Sequence, residues 1–134
     1  MPRALVCGLG LLGSLLLAAL AGAGHGDPNA PLPLVPLAEL KAQLDGGRRP
    51  FLVDLRPAEE FRQGRVPGAL SIPIRELRRR YREIPRGRVV LYCDCPREEL
   101  EAAYRLLVGQ GAEQVQALEE PFARWVARGY PLER

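Results

Sequence analysis

The sequence predicts an α/β fold with a mostly parallel central sheet flanked by helices. Two short apolar runs, FLVDL at 51–55 and RVVLYC at 88–93, read as buried strands. Stretches with apolar residues at helical spacing lie around and between them. Strand and helix patterns therefore alternate along the chain, as they do where helices cover a parallel sheet.

The chain opens with Met-Pro-Arg and then carries no charge from Ala4 to Gly24, a stretch rich in Leu, Ala and Gly. A short basic start, an apolar middle and a small-residue exit predict a signal peptide over 1–23, with Ala21 and Ala23 marking a cleavage site. The alternative is an uncleaved membrane anchor, since about 20 apolar residues can just span a bilayer. Either way the remainder is expected outside the cytoplasm, exported to a periplasmic or extracellular space. Residues 24–134 are enough for one domain with a single core. Prolines 28, 31, 33 and 36 predict a stiff, extended linker over 24–35 and a folded domain over 36–134.

Within the domain, Leu37, Leu40 and Leu44 mark a first helix. FLVDL, bounded by Pro50 and Pro57, follows as a strand, and ALSI at 69–72 is a weaker one. Ile74, Leu77, Tyr81 and Ile84 predict a second helix over 74–84. RVVLYC is the strongest strand, rich in β-branched and aromatic residues. Leu100, Ala103, Tyr104, Leu107 and Val108 mark a third helix, ended by Gly109 and Gly111. EQVQAL at 113–118 is a further strand candidate. Phe122, Trp125 and Val126 mark a last helix, with Pro121 as its first residue and Gly129 past its end.

The chain has 19 basic and 16 acidic residues, and much of the basic excess sits in RELRRRYREIPRGR at 75–88. Because the apolar residues there recur at helical spacing, the arginines fall on the other faces. A solvated helix face is expected, not a nucleic-acid patch, with attraction to anionic lipid headgroups as the residual possibility. The lone histidine is His25, and Cys7 lies in the predicted signal, so the domain keeps only Cys93 and Cys95. Two cysteines do not make a disulfide scaffold, and a structural zinc site needs four ligands, so no metal or other cofactor is expected.

Cys93 ends the strongest strand and precedes a helix. In parallel sheets ligands sit at the carboxyl ends of strands. A helix N-terminus favours negative charge and so favours the reactive thiolate. The alternative is an inert, buried cysteine acting as a small apolar residue, a common fate of free cysteine. Cys95 could resolve an oxidised Cys93, accept its sulfur or fill space. A Cys-x-Cys disulfide closes a tight ring, expected to be readily reduced.

From about Pro36 to Pro131 the chain resembles the rhodanese-like domain family. FLVDLRPAEEF resembles the family's strand followed by Asp-x-Arg, and GRVPGALSIPI resembles its Gly-His-x-Pro-Gly-Ala-x-x-Ile-Pro signature. RVVLYC resembles the strand that ends in the nucleophilic cysteine, and ARWVARGYPL the closing Ala-Trp and Gly-Tyr-Pro. The resemblance implies a three-layer fold with about five strands. It also implies sulfur transfer, with Cys93 as the nucleophile that carries a sulfane sulfur as a persulfide. A small sulfane-sulfur donor and a thiol acceptor are the implied partners of a monomeric domain. Asp94, Cys95, Pro96, Arg97, Glu98 and Glu99 would form the loop around that sulfur, supported by Asp54, Arg56 and Arg65.

The departures from the pattern are specific. Arg65 replaces the signature histidine, Glu98 stands where many active members carry Arg or Ser, and Glu120-Pro121 replaces a Gly-Gly. Pro96 removes one N–H from the loop, and Asp94, Glu98 and Glu99 are opposed there only by Arg97. Such a loop should repel thiosulfate. Cys-x-Cys-Pro-x-Glu nevertheless resembles a loop variant of some rhodanese-like domains. Two other readings stay open: a thiol redox or persulfide relay using both cysteines, and a non-catalytic binding module.

Overall fold

The computed structural model describes residues 26–134, so the signal or anchor reading of 1–23 lies outside the described residues. Among them, no helix is long and apolar enough to cross a membrane. The strands are β1 (Leu34–Val35), β2 (Phe51–Asp54), β3 (Leu70–Ser71), β4 (Arg88–Tyr92) and β5 (Gln114–Leu118). The α-helices are α1 (Leu37–Asp45), α2 (Ala58–Gln63), α3 (Leu77–Arg80), α4 (Arg97–Gly109) and α5 (Phe122–Ala127). The five strands form one sheet in the order β1-β5-β4-β2-β3, with every neighbouring pair parallel.

The three layers follow from the pleat. Successive side chains of a strand point to opposite faces. In β4, Val89 and Leu91, followed by Cys93, enter one core with Ala103, Tyr104, Leu107 and Val108 of α4 and Leu77 of α3. Val90 and Tyr92 enter the other, with Leu37, Leu40 and Leu44 of α1 and Phe122 and Trp125 of α5. A strand covered on both faces reads as an unbroken apolar run, which is why RVVLYC shows no alternation. Trp125 is fully buried, and its Nε1–H donates to the Pro131 carbonyl at 2.9 Å.

Three elements differ from the sequence reading. The 24–35 linker ends early: Leu34–Val35 forms the edge strand β1 beside Ala117–Leu118. Leu32 and Val35 are buried, and the Tyr104 hydroxyl donates to the Asp27 carbonyl at 3.2 Å. Proline is tolerated on an edge strand because one row of N–H groups there has no partner strand to meet. The single helix over 74–84 is instead a 3-10 turn (Ile74–Glu76), α3 and a second 3-10 turn (Tyr81–Glu83). The apolar spacing of three at each end, Ile74 to Leu77 and Tyr81 to Ile84, suits a helix with three residues per turn. Arg80 staples the pieces by donating to Glu76 at 2.7 Å, to Glu83 at 2.8 Å and to the Ser71 carbonyl at 3.1 Å. The third difference is α2, which has no buried residue and so no apolar stripe to announce it.

The GRVPGA turn is closed by the C-terminus. Gly68 has φ of 82°, in the left-handed region that favours glycine, and its N–H donates to Glu133 at 2.8 Å. Arg65 and Glu133 exchange backbone hydrogen bonds of 2.9 Å in each direction.

Candidate active site

β4 ends at Tyr92, and Cys93 is the next residue, buried at the carboxyl end of the sheet. α4 begins at Arg97, with Pro96 in extended geometry just before it. The irregular loop is therefore only 93–96. Arg97, Glu98 and Glu99, expected to wrap the sulfur as loop residues, form the first helical turn instead, and Glu99 N–H bonds back to the Pro96 carbonyl at 3.0 Å. A helix start leaves its first N–H groups without intrahelical partners, so the cysteine loop runs into a backbone end that favours negative charge.

Cys93 and Cys95 are joined as a disulfide, with their Cα atoms 5.4 Å apart. That separation lies in the ordinary range for a bridge. The structure thus shows the oxidised form, in which neither sulfur is a free thiol.

Both cysteines open onto a cleft of about 450 Å³. Its apolar wall comes from Leu55, Pro57, Pro73 and Ile74, and its charged groups are Arg56, Glu60, Arg75, Asp94 and Glu99. Sequence reasoning missed Glu60 and Arg75. Glu60 comes from α2, which the sequence did not delimit, and Arg75 from the start of the 74–84 segment, whose arginines were expected on a solvated face. The exposed guanidinium of Arg75 has no ion-pair partner among the described residues. Arg97, expected as the cation of the loop, lies off the cleft, 3.5 Å from Glu101. Glu98 is exposed and also does not line it.

Asp54 and Arg56 are buried against each other. The guanidinium forms a two-pronged pair, Nε to Oδ1 at 3.0 Å and Nη2 to Oδ2 at 2.7 Å. Nη2 also donates to the Gly64 carbonyl at 2.7 Å, and the group lies 3.8 Å from the centroid of the Phe122 ring. Burial alone would lower the pKa of Arg56, but hydrogen bonding and charge from Asp54 outweigh it and hold the guanidinium above its ordinary value. Burial, then the Asp54 carboxylate, push the Tyr92 hydroxyl up, keeping it neutral. Its oxygen accepts from Val66 N–H at 3.2 Å.

The loop is tied to α5 from two sides. The Cys93 carbonyl accepts from Phe122 N–H at 3.1 Å, and Asp94 Oδ1 accepts from Ala123 N–H at 2.8 Å. Asp94 thus spends one oxygen on the helix start. Arg65, expected as a supporting residue of the cysteine loop, does not reach it: its guanidinium sits 3.1 Å from Glu133 and over the Phe61 ring at 4.5 Å. Among the described residues, no group of three or more His, Cys, Asp or Glu side chains is arranged to hold a metal ion.

Comparison with known proteins shows the family and the fold. The family model described as "Rhodanese-like domain" matches residues 36–128. A protein of Allochromatium vinosum named "Sulfurtransferase" is 37% identical over 84 residues, covering 61% of this chain and 77% of that protein. An HTH-type transcriptional regulator of Mycobacterium tuberculosis, Rv0324, is 30% identical over 106 residues, which cover 78% of this chain but only 46% of the regulator. The solution structure of the rhodanese-like domain of Anabaena Alr3790 superposes with a TM-score of 0.64 at 29% identity, over 75% of this chain and 78% of that one.

Proposed function

Since the chain belongs to the rhodanese-like domain family, we propose that it is a sulfurtransferase carrying a sulfane sulfur as a persulfide on Cys93. The observation that carries the reading is the position of Cys93 at the end of β4, opening onto a cleft and four residues before the start of α4. In the reduced protein the Cys93 thiolate attacks the outer sulfur of a donor. Thiosulfate would leave sulfite, and a thiol persulfide would leave the thiol. In both cases the product is Cys93–S–S⁻, and a thiol acceptor then removes the outer sulfur. The relative named as a sulfurtransferase supports the same chemistry.

Three chain features take defined roles in this reading. The Asp54–Arg56 pair holds the end of β2 rigid beside the loop, Arg75 meets an anionic donor at the mouth, and the first turn of α4 favours the thiolate and persulfide anions. Glu60 and Glu99 on the same cleft disfavour a small dianion. The preferred donor is therefore a thiol-bound persulfide. The domain acts as a monomer on small molecules, without nucleic acid, and the uncharged 4–24 segment directs it out of the cytoplasm. A mature N-terminus near Gly24 is the expected outcome for export, and an intact chain in the cytoplasm would overturn that part alone.

The test of the chemistry is intact-mass spectrometry of the reduced chain after incubation with a persulfide donor. One sulfur atom should add to Cys93, and transfer to an acceptor thiol should vanish in Cys93→Ser. Unchanged transfer by that variant would reject the assignment.

A further inference from the structure

We propose that this domain has a second outlet for its sulfur: Cys95 discharges the persulfide as hydrosulfide, leaving the Cys93–Cys95 disulfide for a dithiol to reduce. The proposal rests on the sulfurtransfer reading of Cys93 and adds an activity to it.

The geometry bears on which sulfur Cys95 can attack. A persulfide on Cys93 has an inner sulfur, the cysteine Sγ, and an outer sulfane sulfur about 2 Å further out. In the structure the Cys95 sulfur is bonded to Cys93 Sγ itself, with the Cα atoms already 5.4 Å apart. The loop that holds this arrangement is fixed at three points: the Cys93 carbonyl on Phe122 N–H, Asp94 on Ala123 N–H, and Pro96 at the start of α4. Cys95 is half-buried against the same core that buries Cys93, so its side chain is not a freely rotating surface thiol. The residue is thus held to the inner sulfur, and an outer sulfur carried on Cys93 would have the cleft that both cysteines line to extend into, where an external thiol can reach it.

The step balances without an outside oxidant. The Cys95 thiol proton passes to the outer sulfur, the Cys95 thiolate attacks Cys93 Sγ, the bond between Sγ and the sulfane sulfur breaks, and the electron pair of that bond leaves with the protonated sulfane sulfur. Cys93–S–S⁻ plus Cys95–SH becomes the disulfide plus HS⁻, the thiol proton departing on the hydrosulfide. Counted from the two free thiols, the cysteine sulfurs together give up two electrons, and the sulfane sulfur supplied by the donor takes them up as it leaves as HS⁻. Hydrosulfide is a better leaving group than a cysteine thiolate because hydrogen sulfide is the stronger acid. A dithiol then reduces the disulfide by exchange and restores both thiols. An abundant acceptor thiol diverts the outer sulfur, and its absence sends the sulfur out as sulfide.

The test is a single turnover of the full reduced chain with glutathione persulfide, freed of excess reagent and of all other thiols. Wild type should release about one hydrosulfide per chain at a rate independent of protein concentration, and its mass should end two hydrogens below the reduced form. Cys95→Ser and Cys95→Ala should instead keep the added sulfur on Cys93 and release none. Adding dithiothreitol should return the spent wild type to a form that loads again. A wild-type chain that stores its persulfide indefinitely would overturn this outlet and leave the sulfurtransfer reading standing. So would release from the Cys95 variants at the wild-type rate. Failure of both Cys95 variants and of wild type to take up sulfur would instead reject the sulfurtransfer reading beneath it.

Discussion

Arg56 is the residue on which most of the site's rigidity converges. It ties its own strand end to the Gly64 carbonyl and to the Phe122 ring, with Asp54 as its buried counter-charge. Removing one member of a buried pair leaves the other unpaired, which costs about 3–5 kcal/mol. Arg56→Ala should therefore lower unfolding free energy by about that amount in urea titration, whereas a merely solvated arginine would change it little. The Asp-x-Arg motif was legible through the family resemblance, but nothing in it names the partners, the Gly64 carbonyl eight residues on and the Phe122 ring in α5. The charge balance at the sulfur was only half legible. Asp94 and Glu99 line the cleft, Glu98 and Arg97 do not, and Glu60 and Arg75 join from elsewhere. Exposed charge interactions are worth about 0.2–1 kcal/mol. Glu99→Gln and Glu60→Gln should each raise kcat/KM for thiosulfate by about 1.5- to 5-fold at low salt, with the gain fading as salt screens it. Glu98→Gln is the control and should leave it unchanged.

At the scale of elements, what could be read was what repeats. α1, α4 and α5 each show enough residues of one pattern to declare a helical period, and β2 and β4 show unbroken apolar runs. β1 has two residues between prolines, and α2 buries nothing, so neither has a period to read. The 74–84 segment has apolar residues compatible with either helix type, and Arg80 links its pieces through local bonds to Glu76 and Glu83 and one to the Ser71 carbonyl. The edge strand gives a direct test. If 26–35 were a free linker, Leu32→Ala would be neutral. Because Leu32 is buried against the core of α4, it should destabilise the domain by about 2–5 kcal/mol, read from a shift in denaturant midpoint at constant slope.

At the scale of the whole molecule, the C-terminus closes the fold by pinning the turn that precedes β3. Glu133 accepts from Gly68 N–H, and that bond, then the Arg65 guanidinium, hold its carboxyl below the ordinary carboxylate value. A depressed folded pKa means that the contribution is fully present above the unfolded value. It is lost as pH falls through the folded one. The Gly68 amide should stay protected from hydrogen exchange at neutral pH and lose protection below the usual carboxylate range. Glu133→Gln should lose the pH dependence. The three-layer arrangement itself was the most legible feature, because a parallel sheet covered on both faces demands the continuous apolar runs that β2 and β4 supply.

The hydrogen bonds from Phe122 and Ala123 to Cys93 and Asp94 carry a consequence for anyone transplanting this chemistry. The eight letters CDCPREEL are not a portable cassette. Their first two residues borrow their posture from a helix nearly thirty positions downstream, introduced by Glu120-Pro121. A recipient scaffold given the loop alone would receive the thiols without the clamp that aims them. The graftable unit is discontinuous: loop and helix entry must travel together, and a library that varies one should vary the other in step.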